Sequence, residues 1–518
     1  MSRWRLWNFH GGINVADHKA ISAHWPLEVA PLPSRLVLPL HQHIGLAAEP
    51  MVEVGDRILK GQMIAQASGY LSTPVHAPSS GRVVEIGQLP VPHPSGWEAP
   101  CIVIETDGVD RWCEHTGIPD WELVDPDLLT TRVRDAGIVG LGGAGFPSSV
   151  KLKSGVDYPV QTLLLNGMEC EPYITCDDRL MRAYPAEIII GLRILARIVH
   201  PVECVIAVED NKPEAHHALS VAATGTNIEV IRVPGRYPIG GERQIIQVIT
   251  GKEVPSGGLP SHIGVICHNV ATAYATYRAV IHGEPLITRI VTLTGAAVPR
   301  PRNIEARLGT PVDFLLHHYQ VPLEKIACLI MGGPMMGFAL HHAQVPVIKT
   351  SNCLLCATAS EVSLSVAPQP CIRCAACVAV CPANLLPQQL YWRARARDLD
   401  KAIADHIFDC IECGCCAVVC PSHIPLVQYY RFIKSAISER NRTRQKADLA
   451  HRRHEARQAR LAREQQEKAA KLARMKTADT TTTSSPVSVQ HEKEAKKAVI
   501  AAALARVAAK KAAAGTVE

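Results

Sequence analysis

Two stretches of this chain place thiols at a spacing that chemistry can use. PCIRCAACVAVCP (Pro370–Pro382) and DCIECGCCAVVCP (Asp409–Pro421) each carry four cysteines, three, three and four positions apart, with proline after the last; the second run repeats the first 39 residues on. Three thiolates in one tight loop reach three corners of an iron–sulfur cube, whereas a fourth, displaced and turned away at a proline, points to a neighbouring site. Zinc sites pair two C-x2-C units across a longer loop, and a disulfide framework suits small secreted chains. A doubled four-thiol run therefore favours two [4Fe–4S] clusters. Cys415 maps by the repeat offset onto Ala376, a position outside the thiol pattern. Cys353 and Cys356 form a lone C-x2-C with no matching pair nearby, which suits buried thiols better than a metal site.

A second candidate is GIVGLGGAGFPSSVK (Gly137–Lys151), in which Gly140, Gly142 and Gly145 satisfy G-x-G-x-x-G. A dinucleotide fold is disfavoured. Pro147 falls where the helix should already run, and the next strand ends in Asn166 instead of an acid that grips a ribose. Near-consecutive glycines ahead of a helix can still present backbone N–H groups to a phosphate, with Lys151 adding charge; a plain tight loop is the alternative.

These residues need elements to hold them. The chain has 518 residues, 47% hydrophobic and 20% charged, enough for three or more domains. MVEVGDRILKGQMIAQ (Met51–Gln66) and VHAPSSGRVVEIG (Val75–Gly87) are two strand–turn–strand units, turning at Gly55-Asp56 and Ser80-Gly81, and resemble the half-barrels of biotinyl and lipoyl carriers. The tip between them, Ala67–Pro74, lacks the carrier lysine, which implies a structural barrel-sandwich. QTLLLN (161–166), CVIAVE (204–209) and IEVIRV (228–233) alternate with helices over Pro185–Val199 and 213–223, the pattern of a parallel sheet covered on both faces. RIVTLTG (289–295) and a helix near 312–319 make a smaller mixed unit, and a helix-length stretch from Pro387 separates the thiol runs.

The fold class expected is thus multidomain α/β. Residues 1–125 form a barrel-sandwich region, 126–285 an α/β domain, 286–350 a β-grasp-like unit, 351–437 an α-helical two-cluster ferredoxin domain, and 438–518 a charged, Ala/Lys-rich tail. From Lys434 to Glu518 there are 20 basic and 9 acidic residues, +11, which leaves the preceding residues at −5 within the net +6. Solvated helix and disorder, with TADTTTTSSPVSV a flexible linker, is the expectation for the tail, and an electrostatic tether to acidic lipid or an acidic subunit the sharper alternative. AEIIIGLRILARIV is broken by Arg193 and Arg197, so it suits a buried helix; no membrane span and no secretory signal are expected, which points to a cytoplasmic chain.

The thiol runs resemble bacterial two-cluster ferredoxins. That likeness implies Cys371, Cys374, Cys377 and Cys420 on one cluster, and Cys381, Cys410, Cys413 and Cys416 on the other. With NGMECEPYITCDDRLM (Asn166–Met181), YPIGGERQ (Tyr237–Gln244), HNVATA (His268–Ala273) and GGPMMG (Gly332–Gly337), the chain resembles the flavin-bearing, NADH-oxidising subunit of respiratory complex I. Its resemblance to the RnfC/RsxC family, which serves the Rnf-type (Rsx-type) electron transport complexes, is closer still and covers roughly residues 1–437. The resemblance implies that Gly140, Gly142, Gly143, Gly145, Lys151, Asn166, Glu169, Glu171, Glu242 and Asn269 contact FMN and NAD(H). Leu141, Met168 and Gly241 depart from the complex I pattern, where arginine, aspartate and glutamate stand. The family implies a peripheral translocase subunit on the cytoplasmic face of the bacterial inner membrane, partnered by an iron–sulfur subunit and integral membrane subunits, and no nucleic acid. A soluble NADH:acceptor oxidoreductase and a flavin-free two-cluster relay are the alternatives.

Overall fold

The computed structural model describes residues 4–362, 367–479 and 486–513. The chain divides into two units, Met1–Ser435 and Ala436–Glu518.

In the first unit, two small antiparallel sheets make the barrel-sandwich. One runs Arg35–Pro39, Glu98–Thr106, Gly81–Pro90, Arg57–Ile58, and the other Glu49–Pro50, Met63–Gln66, Val75–His76. The expected strand–turn–strand units do not pair within themselves. Arg57–Ile58 pairs with Gly81–Pro90, and Met63–Gln66 with Glu49–Pro50 and Val75–His76, so each unit lends strands to both sheets. Alternating side chains can then enclose one core from two sides, and Leu36, Leu38, Ile58, Ile64, Val83, Ile102 and Ile104 fill it. The tip is tied down: Ser72 Oγ donates to Leu46 O at 2.9 Å and Thr73 N to His43 Nε2 at 3.1 Å.

The α/β part has four parallel strands ordered Ile228–Val233, Glu203–Glu209, Thr162–Gly167, Val265–Asn269. Alternation along the strands serves two faces. Leu163, Leu165, Ile206 and Val208 join Ile188, Leu192 and Val270 of the helices Pro185–Val199 and Val270–Tyr277. Leu164, Val205, Ala207 and Ile231 join Ile245, Ile246 and Ile249 of the helix Glu242–Thr250, and Phe9. Each fully buried aliphatic side chain contributes about 1.5–3 kcal/mol, far more than helix propensity, so face burial decides these elements. Gly191 lets two helices touch, because a Cβ there would lie 2.0 Å from Ala273 O.

A six-stranded mixed sheet follows, ordered Glu28–Val29, Arg302–Arg307, Thr288–Thr294, Cys353–Ala357, Cys328–Met331, Phe338–Ala339, and covered by the helix Val312–His318. Its central strands, Thr288–Thr294 and Cys353–Ala357, run parallel, as in a β-grasp. This moves two expected boundaries. Cys353–Ala357 completes this sheet and so belongs outside the 351–437 ferredoxin segment, and Glu28–Val29 leaves the 1–125 region to form its edge. Cys353 and Cys356, three apart on one strand, face opposite cores, and both are fully buried.

Residues 4–27 also leave the barrel. Trp7 N donates to Val248 O at 2.9 Å, Gly12 N to Val380 O at 2.9 Å and Ile13 N to Tyr237 O at 2.8 Å, so this segment straps the α/β part to the first thiol run. Between the thiol runs the helix from Pro387 stops at Ala396, where Arg397 is left-handed (φ 52°), and a second helix, Leu399–Ala404, follows.

The second unit is helical: residues 436–479 belong to the helix Leu426–Asp479, and Pro486–Ala513 forms another. Residues 441–475 and 491–506 are all exposed, so no face is buried there. Residues 480–485 of the expected linker lie outside the described residues. Among the described residues no helix is long and apolar enough to cross a membrane.

Candidate functional site

The thiol runs repeat in backbone as well as in sequence. Arg373, Ala375 and Asn384 have positive φ, and so do their counterparts 39 positions on, Glu412, Gly414 and His423. Left-handed residues alternating with right-handed ones curl a loop so that its N–H groups converge, which suits an anionic group. A short helix then turns each chain, Ala376–Ala379 and Cys415–Val418. Cys371, Cys374, Cys377 and Cys420 line one cavity; Cys381, Cys410, Cys413 and Cys416 line the other. The loops thus exchange their fourth cysteines, the two groups that the ferredoxin likeness implies. Apolar side chains close each cradle: Ile372, Tyr391, Ile424 and Leu426 in the first, Leu385, Leu390, Val427 and Tyr430 in the second.

The donor set fits an iron–sulfur cluster: four sulfurs line each cradle, no histidine lines either, and the carboxylate of Glu412, in the lining of the second, is held by Arg431 and Lys434. Burial pushes the Cys410 thiol up to about 11, and a bound cation would favour its thiolate. Cys415 lines neither cradle; it is fully buried with Tyr237, Cys413 and Ile411 in an apolar wall.

That wall separates the second cradle from a cleft of about 690 Å³, a size common for cofactor sites. All ten residues implied by the complex I likeness line it. The glycine loop is closed by Gly140 N donating to Phe146 O at 2.7 Å, and the helix Ser148–Asp157 starts directly after Pro147. Gly145 (φ +65°) admits no side chain, since a Cβ would meet Thr350 Cγ2 at 2.7 Å. Lys151 Nζ reaches Glu242 Oε1 and Cys267 O, each at 2.5 Å. Burial opposes its charge, but the Glu242 carboxylate more than offsets this and holds the ammonium above the ordinary lysine value.

Four of the ten residues spend their side chains on architecture. Asn166 Nδ2 donates to Gly240 O at 2.9 Å. The Glu169 carboxylate accepts from Asp177 N and Asp178 N at 2.6 and 3.1 Å, capping the helix Cys176–Ala183. Glu171 accepts from Met335 N and Met336 N at 2.7 and 2.9 Å, joining the acidic loop to Gly332–Gly337. Asn269 caps its own helix through Ala271 N and donates to Asp177 Oδ2 at 2.6 Å. These residues shape the cleft through the loops they fasten. Two of the three departures are explained in the same way: Met168 is fully buried in the core, and Leu141 is held by Thr272 Oγ1 and Arg289.

Other lining residues were not predicted. Ser148 Oγ, Gln244 Oε1 and His268 Nε2 are buried against the cleft without a hydrogen-bond partner, and such atoms are rare unless a ligand or water completes them. Burial takes His268 to about 3, so its ring is neutral. Asp177, raised to about 6 by burial and by the neighbouring Glu169, and Arg289, which donates to Leu141 O and Ser351 O, also face the cleft. A lone arginine at the head of an apolar strand was the available signal for Arg289. The cleft adjoins the second cradle: Ile411 lines both, and Tyr237 Oη donates to Cys413 O at 2.8 Å. Behind the glycine loop, the fully buried Lys349 donates to Pro74 O at 2.9 Å and Gly137 O at 2.7 Å, pinning the barrel tip to the loop's first residue, and burial pulls its pKa to about 7.

Three family models match: the RnfC barrel sandwich hybrid domain over residues 7–109, the Nuo51 FMN-binding domain over 133–278 and the 4Fe-4S dicluster domain over 363–445. The RnfC protein of the ion-translocating oxidoreductase complex of Pseudomonas aeruginosa is 46% identical over 86% of this chain and 58% of its own length. Those of Klebsiella pneumoniae and Salmonella arizonae are 48% and 49% identical over 86% and 84% of this chain, and 59% and 64% of their own lengths. The chain is a homologue of these RnfC proteins. It spans about three fifths of the length of these curated relatives. The fold expected from the sequence agrees with the matched barrel-sandwich, flavoprotein-like α/β and dicluster domains.

Proposed function

We propose that this chain is the peripheral electron-transfer subunit of a membrane-bound, ion-translocating oxidoreductase complex, holding FMN in the cleft and one [4Fe–4S] cluster in each thiol cradle. The observation that carries the reading is adjacency: a phosphate-suited glycine loop, a cleft with unpartnered buried polar atoms and two all-thiol cradles lie in one unit. A flavin, when bound, exchanges two electrons with a nicotinamide and one at a time with a cluster.

The residues divide the work. Backbone N–H groups of Gly140–Gly145, with Lys151, face an anionic phosphate. Ser148, Gln244 and His268 offer polar atoms to the ligand's edges. Glu169, Glu171 and Asn269 hold the acidic loop, the Gly332–Gly337 loop and the helix from Val270 in register around it. Tyr237 and Ile411 keep water from the wall beside the second cradle, and Cys415 extends that dry layer. Cys371, Cys374, Cys377 and Cys420 hold one cluster and Cys381, Cys410, Cys413 and Cys416 the other. The first cradle shares no lining residue with the cleft, and its Cys374 is exposed, so it is the side that faces a redox partner.

NADH is proposed as the small-molecule partner, and an iron–sulfur subunit with integral membrane subunits as the protein partners. Attachment to them would place the chain on the cytoplasmic face of the bacterial inner membrane. The test is a visible spectrum of anaerobically purified chain before and after NADH, with flavin assayed after acid precipitation. Bleaching of flavin and iron–sulfur absorption together is expected. Clusters without flavin would leave only a relay, and zinc without acid-labile sulfide would sink the reading. Co-sedimentation with membranes separates it from a soluble oxidoreductase.

A further inference from the structure

The acidic loop that carries Glu169 and Glu171 is shaped from behind by two buried lysines, neither of which lines the cleft. Lys19 comes from the N-terminal strap. It is 7% exposed, and its Nζ donates to Glu169 O at 2.8 Å, Glu171 O at 2.8 Å and Ile174 O at 2.6 Å. Lys212 is 4% exposed and donates to Met168 O at 3.0 Å, Glu209 Oε2 at 2.5 Å and Asn211 Oδ1 at 3.0 Å. Four carbonyls between Met168 and Ile174 therefore end on ammonium groups outside the cleft. Neighbouring strap residues fix Lys19 in turn: Tyr173 N donates to Asp17 O at 2.7 Å, His18 stacks on Tyr173, and Ser22 Oγ meets Thr175 Oγ1 at 2.8 Å.

From this geometry we infer that Lys19 is a positioning residue for the flavin and nucleotide cleft: its ammonium gathers three backbone carbonyls and so sets where Glu169 and Glu171 stand. The inference rests on the reading of the cleft as the flavin site. An ammonium is the group the site requires, because three convergent acceptors need a compact donor with three N–H bonds. Glu169 holds a left-handed backbone (φ 41°), a strained conformation that persists only where its surroundings enforce it. Without the ammonium three buried carbonyls lose their donor and the loop must shift to find others. The shift reaches both walls of the cleft, since Glu169 caps the helix from Cys176 and Glu171 holds the amides of Met335 and Met336. Burial and the Lys212 ammonium both lower the pKa of Lys19, while Glu169 and Glu209 oppose them.

The test compares K19M with the parent full-length chain, anaerobically reconstituted with iron, sulfide and FMN. Hydrogen exchange of the 168–176 amides, measured before FMN is added, is expected to speed up roughly tenfold or more in K19M. FMN affinity should fall by a similar factor, and KM for NADH should rise with kcat at saturating FMN within about threefold, the signature of lost binding alignment. Iron and sulfide content should match the parent. Unchanged exchange in those amides, or a fall in kcat at constant KM, overturns the inference, because a general loss of folded protein lowers the active fraction alone. If K19M does not accumulate, K19Q, which keeps two N–H donors without the charge, decides the matter: a smaller loss of the same kind supports the inference and parent-like values overturn it. The exchange measurement needs no flavin. A parent chain that binds no FMN, with exchange still faster in K19M, therefore sinks the flavin reading and leaves the loop-positioning role standing.

Discussion

The two thiol cradles and the cleft beside them are built in opposite ways. Each cradle takes three of its sulfurs from seven consecutive residues and only the fourth from the other run, so its chemistry is written in local spacing. The cleft gathers the glycine loop, the ends of two parallel strands, the acidic loop, Tyr237–Gln244, Arg289 and the Gly332–Gly337 loop. Its polar groups mostly hold one another. A site made of neighbours in sequence tolerates movement elsewhere, whereas one assembled from distant loops depends on every fastening.

The contrast can be broken by substitution. The largest effect is expected from Cys420→Ser and Cys381→Ser: each should lose about half the iron, and with the crossover each should remove the electron paramagnetic signal belonging to the opposite run. Loss of the signal of its own run would refute the crossover. Next is Gly145→Val, which forces a Cβ against Thr350 in a left-handed backbone. FMN binding should be lost and stability should fall by about 1–3 kcal/mol, read in a denaturant titration, while the iron content stays intact.

Lys349 sharpens the comparison through pH. Its folded pKa, about 7, lies below the ordinary 10.5, so on acidification the unfolded chain takes up a proton first. Stability is therefore fully present above the unfolded value and falls as pH drops from about 10.5 through 7. Lys349→Met should flatten that slope in a series of Tm measurements and leave the cradle spectra alone. The smallest effect is expected from deleting residues 441–518: the unfolding free energy of the remainder, read in a denaturant titration, should change by about 0.5 kcal/mol or less, because residues 441–475 bury nothing. Membrane retention that collapses at moderate salt after this deletion would support the tether, and unchanged retention would remove it.

What the sequence disclosed follows the same division. The parallel strands and the helix Pro185–Val199 were legible because apolar period and an N-terminal proline are local signals. The swap of strands between the barrel's sheets was not, since 180° alternation says which face a residue takes but not which strand it meets. Glu28–Val29 and Cys353–Ala357 are short segments whose pairing partners lie far along the chain, and no local pattern assigns them to one sheet. Ser148, Gln244 and His268 are common polar residues whose importance lies in being buried unpartnered, a property of the folded molecule. Lys19 stood in an N-terminal stretch with no motif at all.

The strap has a consequence for how the molecule is made. His10 Nδ1 lies 2.9 Å from Cys381 O, across 371 positions of chain, and Gly12 closes on Val380. Trp7 and Lys19 find partners at Val248 and Glu169, but the contacts of His10 and Gly12 wait for residues 380 and 381, and contacts of such sequence separation are slow to form. Until then the first thiol loop lacks its backbone neighbour at Gly12. Maturation of the first thiol loop is thus tied to one late event, the seating of the strap against Val380 and Cys381.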